Sequence, residues 1–179
     1  QLLYHVEALP LRGHVLVACP DGARGRGITV YDGLWAREVG HMTGLHFPVQ
    51  PMEHHYLLTE RIDQVAQWGS RLPCGIDYAA NMYFRQERDG MLIGTYEPVG
   101  IPWKVEGTPW AFGHELLNPN LEHIADRLEL GFERWPELAN AGIRQAINGP
   151  FTFGPDGNPM IGPVPGMPHY WCAVGGMAG

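Results

Sequence analysis

The chain has 179 residues, 45% of them apolar, with six Trp, seven Tyr and six Phe. That is enough apolar mass for one good core, or one and a fraction, and too much for a disordered segment. A net charge of −7, with no basic cluster beyond Arg24 and Arg26, argues against nucleic acid as a partner. No apolar run approaches the ~20 residues that a bilayer-spanning helix needs. Cys19, Cys74 and Cys172 lie far apart without metal or redox spacing, which fits reduced thiols in a soluble protein. The chain starts at Gln1, without a signal peptide, and stops at Gly179 inside an apolar run, so both ends read as internal.

Residues 1–27 show apolar positions without a sustained period, apart from a possible strand at Val15-Leu16-Val17-Ala18. Ile28 to Tyr31 reads as a strand closed by Asp32-Gly33. A helix follows from near Leu34, with Trp35, Val39 and Met42 on one face and Gly44 placed to end it. This is a βα unit. After Pro48 and Pro51, Glu53 to Thr59 reads as a strand. Asn81 to Arg88 and Met91 to Tyr96 form a hairpin through Arg88-Asp89-Gly90, because Asp-Gly suits a tight turn with positive φ. The Pro- and Gly-containing stretch 98–113 reads as an extended connection. A long helix comes next, capped by Asn118 with Pro119 in its first turn. Its apolar face carries Leu121, Ile124, Ala125, Leu128, Phe132 and Trp135, and Pro136 ends it. From Asn148 the chain is a Gly/Pro-rich loop with an Asp156-Gly157 turn. It then runs into a buried strand, His169 to Val174, that gives way to Gly175, Gly176 and Gly179. A strand feeding a glycine turn lets backbone approach a flat or anionic cofactor closely.

The fold class is therefore α+β, an α/β piece plus an antiparallel sheet. The first and last segments belong to one domain (1–45 and 148–179) and the middle (46–147) to another.

Chemistry concentrates at His54, His55 and Tyr56. Strand alternation points His54 and Tyr56 to one face and His55 to the other. An imidazole beside a phenol can orient a substrate and assist proton removal. The plainer alternative is one hydrogen-bonded core residue and one exposed residue. None of the nine histidines sits in a His-Glu-x-x-His helix, so no metal site is expected. Tyr83, Arg85 and Glu87 share a face that reads as solvated, with Arg85 able to meet a carboxylate. Trp35 reads more readily as core than as a cofactor contact.

Four stretches occur in a shared order: GLWAREVG (33–40), PMEHHYLLTE (51–60), YFRQERDGMLIGTYEP (83–98) and INGPFTFGPDGNPMIGP (147–163). Together they resemble the dimethylglycine/sarcosine dehydrogenase family, FAD-dependent amine oxidoreductases of the D-amino-acid oxidase type. The resemblance covers roughly residues 28–179. It implies an FAD-binding domain in two pieces, 1–45 and 148–179, around a substrate-binding antiparallel sheet domain, 46–147. It also implies oxidation of the C–N bond of a small N-methyl amine such as dimethylglycine or sarcosine, with hydride passing from the methyl carbon to FAD.

By that resemblance Tyr56 and His54 are the catalytic candidates, on a face turned toward the flavin. Gly33, Trp35, Gly175, Gly176, Met177, Ala178 and Gly179 are the cofactor-binding candidates. The acceptor would be oxygen or an electron-transfer flavoprotein, and tetrahydrofolate would enter only through a further carboxy-terminal domain. The location would be cytoplasmic, or the mitochondrial matrix in a eukaryote. Departures are visible as well. No G-x-G-x-x-G occurs in the chain, and Val30-Tyr31-Asp32 stands where the family usually has small residues before Gly-Leu-Trp. The chain therefore reads as a fragment, inactive alone and incomplete for FAD. A flavin-free small-ligand binding or structural module derived from that fold is the alternative.

Overall fold

A computed structural model describes residues 16–17, 28–113, 115–167 and 170–176, with 16–17 and 28–32 described by their backbone. The chain forms two compact units: 1–52, 102–115 and 151–179 make the first, and 53–101 with 116–150 make the second. These bounds differ from the expected 46–147 middle segment, since 46–52 and 102–115 group with the first unit. The 102–115 segment is tied to that unit by side chains of one short helix, α1 (Ala36–Met42). Glu38 Oε1 accepts the Thr108 N–H at 2.7 Å, and Arg37 donates to the carbonyls of Lys104 and Val105 at 2.8 and 3.1 Å.

The first unit holds a four-stranded mixed sheet in the order β1-β2-β9-β8. Its strands are β1 (Leu16–Val17), β2 (Ile28–Asp32), β8 (Met160–Pro163) and β9 (Tyr170–Val174). The expected neighbours Val15, Ala18 and His169 lie outside the described residues. β2 and β9 pair in parallel, from Ile28↔Tyr170 to Asp32↔Val174, so the two strand-then-glycine segments lie side by side. Val39, Val49, Tyr170 and Val174 form the core there, beneath α1, which the positive φ of Gly44 ends as expected.

The second unit is built on a five-stranded antiparallel sheet, β4-β5-β6-β3-β7. Its strands are β3 (Gln50–Thr59), β4 (Gly75–Asp77), β5 (Met82–Glu87), β6 (Gly90–Thr95) and β7 (Ile143–Phe153). Every residue of β6 is buried, as a central strand requires. Helices α2 (Asp63–Ala66), α3 (Leu121–Arg134) and α4 (Glu137–Asn140) complete the unit. Helix α3 buries Ile124 and Leu128 with Leu57, and Gly131 against Met82, so the helix covers the sheet face that carries Leu57, Met82 and Ile93.

Several sequence expectations are corrected in detail. The N-cap of α3 is Asn120, whose Oδ1 accepts the His123 N–H at 3.2 Å, while Asn118 lies outside and gives its carbonyl to Asn148. Leu121 and Ala125 are exposed, which moves the buried stripe to Ile124, Leu128 and Gly131. The hairpin loop is Arg88-Asp89, with φ 59° at Arg88, and Gly90 already pairs with Glu87 inside the strand. A Cβ at Gly90 would lie 2.6 Å from the Glu60 carbonyl, so that glycine serves packing rather than the turn. The region expected as a Gly/Pro-rich loop contains two strands, β7 and β8. Both run at sheet edges, where a proline deprives the ladder of no bond that it needs.

Candidate active site

The open face of the second unit's sheet is written by register. Tyr56 pairs with Gly94, and Gly94 pairs with Tyr83, so the three share the face opposite Leu57 and α3. His54 lies two residues before Tyr56 on the same strand and face. The centroid of its ring is 6.1 Å from that of Tyr83 and 6.3 Å from that of Tyr96, and Tyr83 and Tyr96 are 5.2 Å apart. Tyr83 Oη is 3.4 Å from His54 Nε2. A Cβ built on Gly94 would fall 1.8 Å from Tyr83 Cζ, so the missing side chain is the bed on which the Tyr83 ring lies. Burial, with the Tyr96 phenol and the Glu97 carboxylate adding to it, pushes Tyr83 up to about 12. At neutral pH its hydroxyl therefore stays protonated and able to donate.

The other half of the cluster is Glu97, just beyond the end of β6. Its Oε2 is 2.9 Å from His54 Nδ1, and its Oε1 is 3.0 Å from His55 Nδ1. Oε1 also accepts the His55 backbone N–H at 3.0 Å and the Thr95 hydroxyl at 3.2 Å. Burial raises the Glu97 carboxyl, but the hydrogen bonds from His54 and then His55 outweigh it and hold the group at about 2. His55 faces the helix side, as alternation requires, and is 1% exposed. Its Nε2 accepts the Asn120 N–H at 3.3 Å, at the start of α3. His55 is thus the hydrogen-bonded core residue of the plainer reading, while His54, its side chain 19% exposed, lies on the opposite face with its ring beside the phenols of Tyr83 and Tyr96.

Beside Asn120, Asn148 is wholly buried, and its Nδ2 donates to Glu53 Oε2 at 2.6 Å and to the Asn118 carbonyl at 2.9 Å. These bonds fix the start of β3 and the approach to α3, the two backbone segments that carry His54, His55 and Asn120.

In the first unit the cofactor-binding candidates cluster at the carboxyl ends of β2 and β9, the usual ligand end of adjacent parallel strands. Asp32 and Val174 are in register, so Gly33 and Gly175 leave the sheet next to each other. Among the described residues nothing lies within 4 Å of where a Gly33 Cβ would be, and Gly175 has φ +86°. Gly33 fits a flat group laid against backbone, whereas the Cβ side of Gly175 is lined by the backbone of Asn158, Gly154 and Pro159 at 3.6 to 3.7 Å. Gly176 answers to a different demand: a Cβ there would meet the Thr152 carbonyl at 2.6 Å, where Phe153 and Gly176 form a parallel bridge. The Trp35 indole donates from Nε1 to the Pro109 carbonyl at 3.2 Å and packs against the core of its unit. Met177, Ala178 and Gly179 lie outside the described residues.

A family pattern described as DAO, FAD dependent oxidoreductase, matches residues 4–179. The chain belongs to this family. Mitochondrial dimethylglycine dehydrogenase of Mus musculus is 41% identical over 165 residues, which are 89% of this chain and 19% of that protein. Mitochondrial sarcosine dehydrogenase of Homo sapiens is 32% identical over 143 residues, 80% of this chain and 15% of that protein. The chain thus spans less than a fifth of these relatives. Among solved structures, L-proline dehydrogenase from P. horikoshii superposes with a TM-score of 0.63 at 23% identity, over 84% of this chain and 37% of that one. The α+β flavoprotein fold and the relation to dimethylglycine and sarcosine dehydrogenases are therefore as the sequence implies.

Sequence reasoning brought His54 and Tyr56 to one face but passed over Tyr83, Tyr96 and Glu97. Tyr83 was assigned to a solvated face with Arg85 and Glu87. A glycine directly across from it was the available signal, since a bare position in a buried strand invites a neighbouring ring. Glu97 lies after the last strand residue, where no periodicity operates. Among the described residues no group of His, Cys, Asp and Glu is arranged to hold a metal ion, and no helix is long and apolar enough to cross a membrane.

Proposed function

We propose that this chain is part of an FAD-dependent oxidoreductase that oxidises the C–N bond of a small N-methyl amine such as dimethylglycine or sarcosine. Its second unit would be the substrate-binding domain, and its first, 1–52 with 102–115 and 151–179, would be part of the FAD-binding domain. The observation that carries this reading is the His54 imidazole held on Glu97 beside Tyr56, Tyr83 and Tyr96 on one sheet face. The names of the relatives supply the substrate class, since both are dehydrogenases of methylated glycines.

FAD, when bound, supplies the acceptor for the electrons of the methyl C–H bond. Gly33 offers it bare backbone, with Trp35, Gly175, Gly176, Met177, Ala178 and Gly179 as the remaining candidates from the family match. The protein's own task is to bind the amine neutral and oriented. A protonated amine has no lone pair to assist C–H cleavage, so a neighbouring base that takes up the ammonium proton prepares it for reaction. His54 is that base in this reading, and the Tyr56 hydroxyl orients the amine by hydrogen bonding. The resulting iminium would be hydrolysed or passed to tetrahydrofolate held by a domain outside this chain, with oxygen or an electron-transfer flavoprotein as final acceptor. The protein would act in the mitochondrial matrix of a eukaryote or in the cytoplasm of a bacterium. This segment alone would be inactive for want of the rest of the FAD cradle.

The test is Tyr56→Phe in the full-length flavoprotein, which removes only the hydroxyl. Turnover with the N-methyl amine should fall roughly ten- to a thousandfold, while flavin content stays unchanged. Flavin reduction at the wild-type rate would remove Tyr56 from the mechanism. A full-length protein that purifies without flavin would favour a binding module derived from this fold.

A further inference from the structure

The geometry points to Glu97 as a positioning residue that sets the tautomer of His54, making its Nε2 the proton-accepting edge of the open face. This rests on the reading above that His54 handles the substrate proton, and it goes beyond it by naming what makes His54 competent.

The argument begins at His55, where donors and acceptors can be assigned without choice. The Asn120 backbone N–H can only donate, and it points at His55 Nε2. Nε2 must therefore carry a lone pair, so the ring proton of a neutral His55 sits on Nδ1 and is donated to Glu97 Oε1. With the His55 backbone N–H and the Thr95 hydroxyl on the same oxygen, Oε1 accepts three hydrogen bonds. An ionised carboxylate is the one state of Glu97 that leaves both oxygens as pure acceptors. Burial alone would favour the neutral acid, but its hydrogen bonds hold the carboxyl at about 2. Oε2 then meets His54 Nδ1 at 2.9 Å, and only a proton on Nδ1 makes that contact attractive. In a neutral His54 the remaining nitrogen, Nε2, then carries the lone pair, on the face where the Tyr83 hydroxyl lies 3.4 Å away.

The two oxygens of one carboxylate thus serve opposite faces of the sheet. Oε1 is saturated by groups anchored to the buried side and to backbone, which fixes the position and rotation of the carboxylate. Oε2 is the carboxylate atom that meets His54. A carboxylate on the far ring nitrogen that fixes tautomer and orientation is a known physical device for making an imidazole a directed base. Here it is anchored, through His55, to the first turn of α3.

The decisive variant is Glu97→Gln, which keeps shape but offers one acceptor and one amide group. Oε1 of the glutamine can still take the bonds from His55 and Thr95, which forces the NH₂ toward His54 Nδ1. That contact is attractive only if His54 moves its proton to Nε2, which turns the exposed edge from acceptor into donor. The experiment uses the full-length flavoprotein with ring-labelled histidine, followed by solid-state nitrogen NMR, with the His54 signals assigned by their loss in His54→Gln. The wild-type protein should show His54 protonated at Nδ1 and bare at Nε2, and Glu97→Gln should exchange the two. A neutral wild-type His54 protonated at Nε2, or a tautomer unchanged by Glu97→Gln, would overturn the proposal. The wild-type spectrum decides even if the variant does not fold.

In parallel, stopped-flow reduction of the flavin by saturating amine should slow roughly a hundredfold or more in Glu97→Gln, as expected when a base is held in the wrong tautomer. Substrate affinity should change much less, and Glu97→Asp, which keeps the charge, should recover part of the rate. If no N-methyl amine reduces the wild-type flavin, the functional reading fails, while the tautomer measurement still judges Glu97.

Discussion

The two sheets use glycine for opposite ends. In the mixed sheet Gly33 follows β2 with nothing among the described residues near its absent Cβ, whereas in the antiparallel sheet Gly94 sits within β6 with the Tyr83 ring filling that place. One glycine keeps space open and the other gives space to a neighbour in the same sheet. The difference teaches that a bare backbone position marks a close approach without saying what approaches. Gly176, which faced a cofactor in the sequence reading, lies against the Thr152 carbonyl, and Gly90, which looked like a turn residue, lies against the Glu60 carbonyl.

The same contrast holds between the adjacent histidines, one on each face of β3. The buried one should carry the largest stability cost. His55→Gln keeps an amide near the old Nε2 position, within reach of Asn120, but cannot reproduce Nδ1 and so abandons Glu97 Oε1. Urea unfolding should show a loss of roughly 1–3 kcal/mol, the cost of a buried polar group left without its partner. A residue that points away from the site is therefore not dispensable. A loss below roughly 0.5 kcal/mol, the level of an ordinary surface change, would mean that His55 does not hold the carboxylate.

A smaller effect is expected at Gly94. Gly94→Ala should cost about 1 kcal/mol, at the lower end for overpacking, because the half-buried Tyr83 ring can swing away. The sharper measurement is a double-mutant cycle with Tyr83→Ala, in which the cost of Gly94→Ala should vanish. A cost that persists in the Tyr83→Ala background would show that the glycine serves the backbone and not the ring.

The smallest stability effect should come from Gly33→Ala, within about 0.5 kcal/mol, since the added methyl meets no atom of the described residues. Its consequence should appear instead in the flavin absorbance of the full-length protein, which should fall relative to wild type. Unchanged flavin content would mean that the open space at Gly33 is not the cofactor's, and the contrast with Gly94 would lose its meaning.

Where alternation or helical periodicity operated, the sequence was a sufficient guide. β3, β5, β6 and α3 lie where their apolar patterns put them, because each buries side chains against a partner. The parallel pairing of β2 with β9 followed from two apolar stretches that each end in glycine. The strands β7 and β8 were hidden by Pro150, Pro159 and Pro163, since edge strands tolerate the residues that usually signal loops. Local spacing placed His54 and Tyr56 on one face for the same reason, a period of two along a strand.

What only the tertiary structure decided is the company they keep. Tyr83 reaches His54 because β6 lies between their strands and carries a glycine at the crossing point. Glu97 reaches both histidines because it lies just past the end of β6, beyond the last paired residue, where its carboxylate takes the His55 backbone N–H. Neither contact leaves a trace in local pattern: 29 residues separate His54 from Tyr83 and 43 separate it from Glu97. Periodicity reports which face a side chain takes, whereas the partner across that face is set by sheet order and register, which are properties of the folded chain.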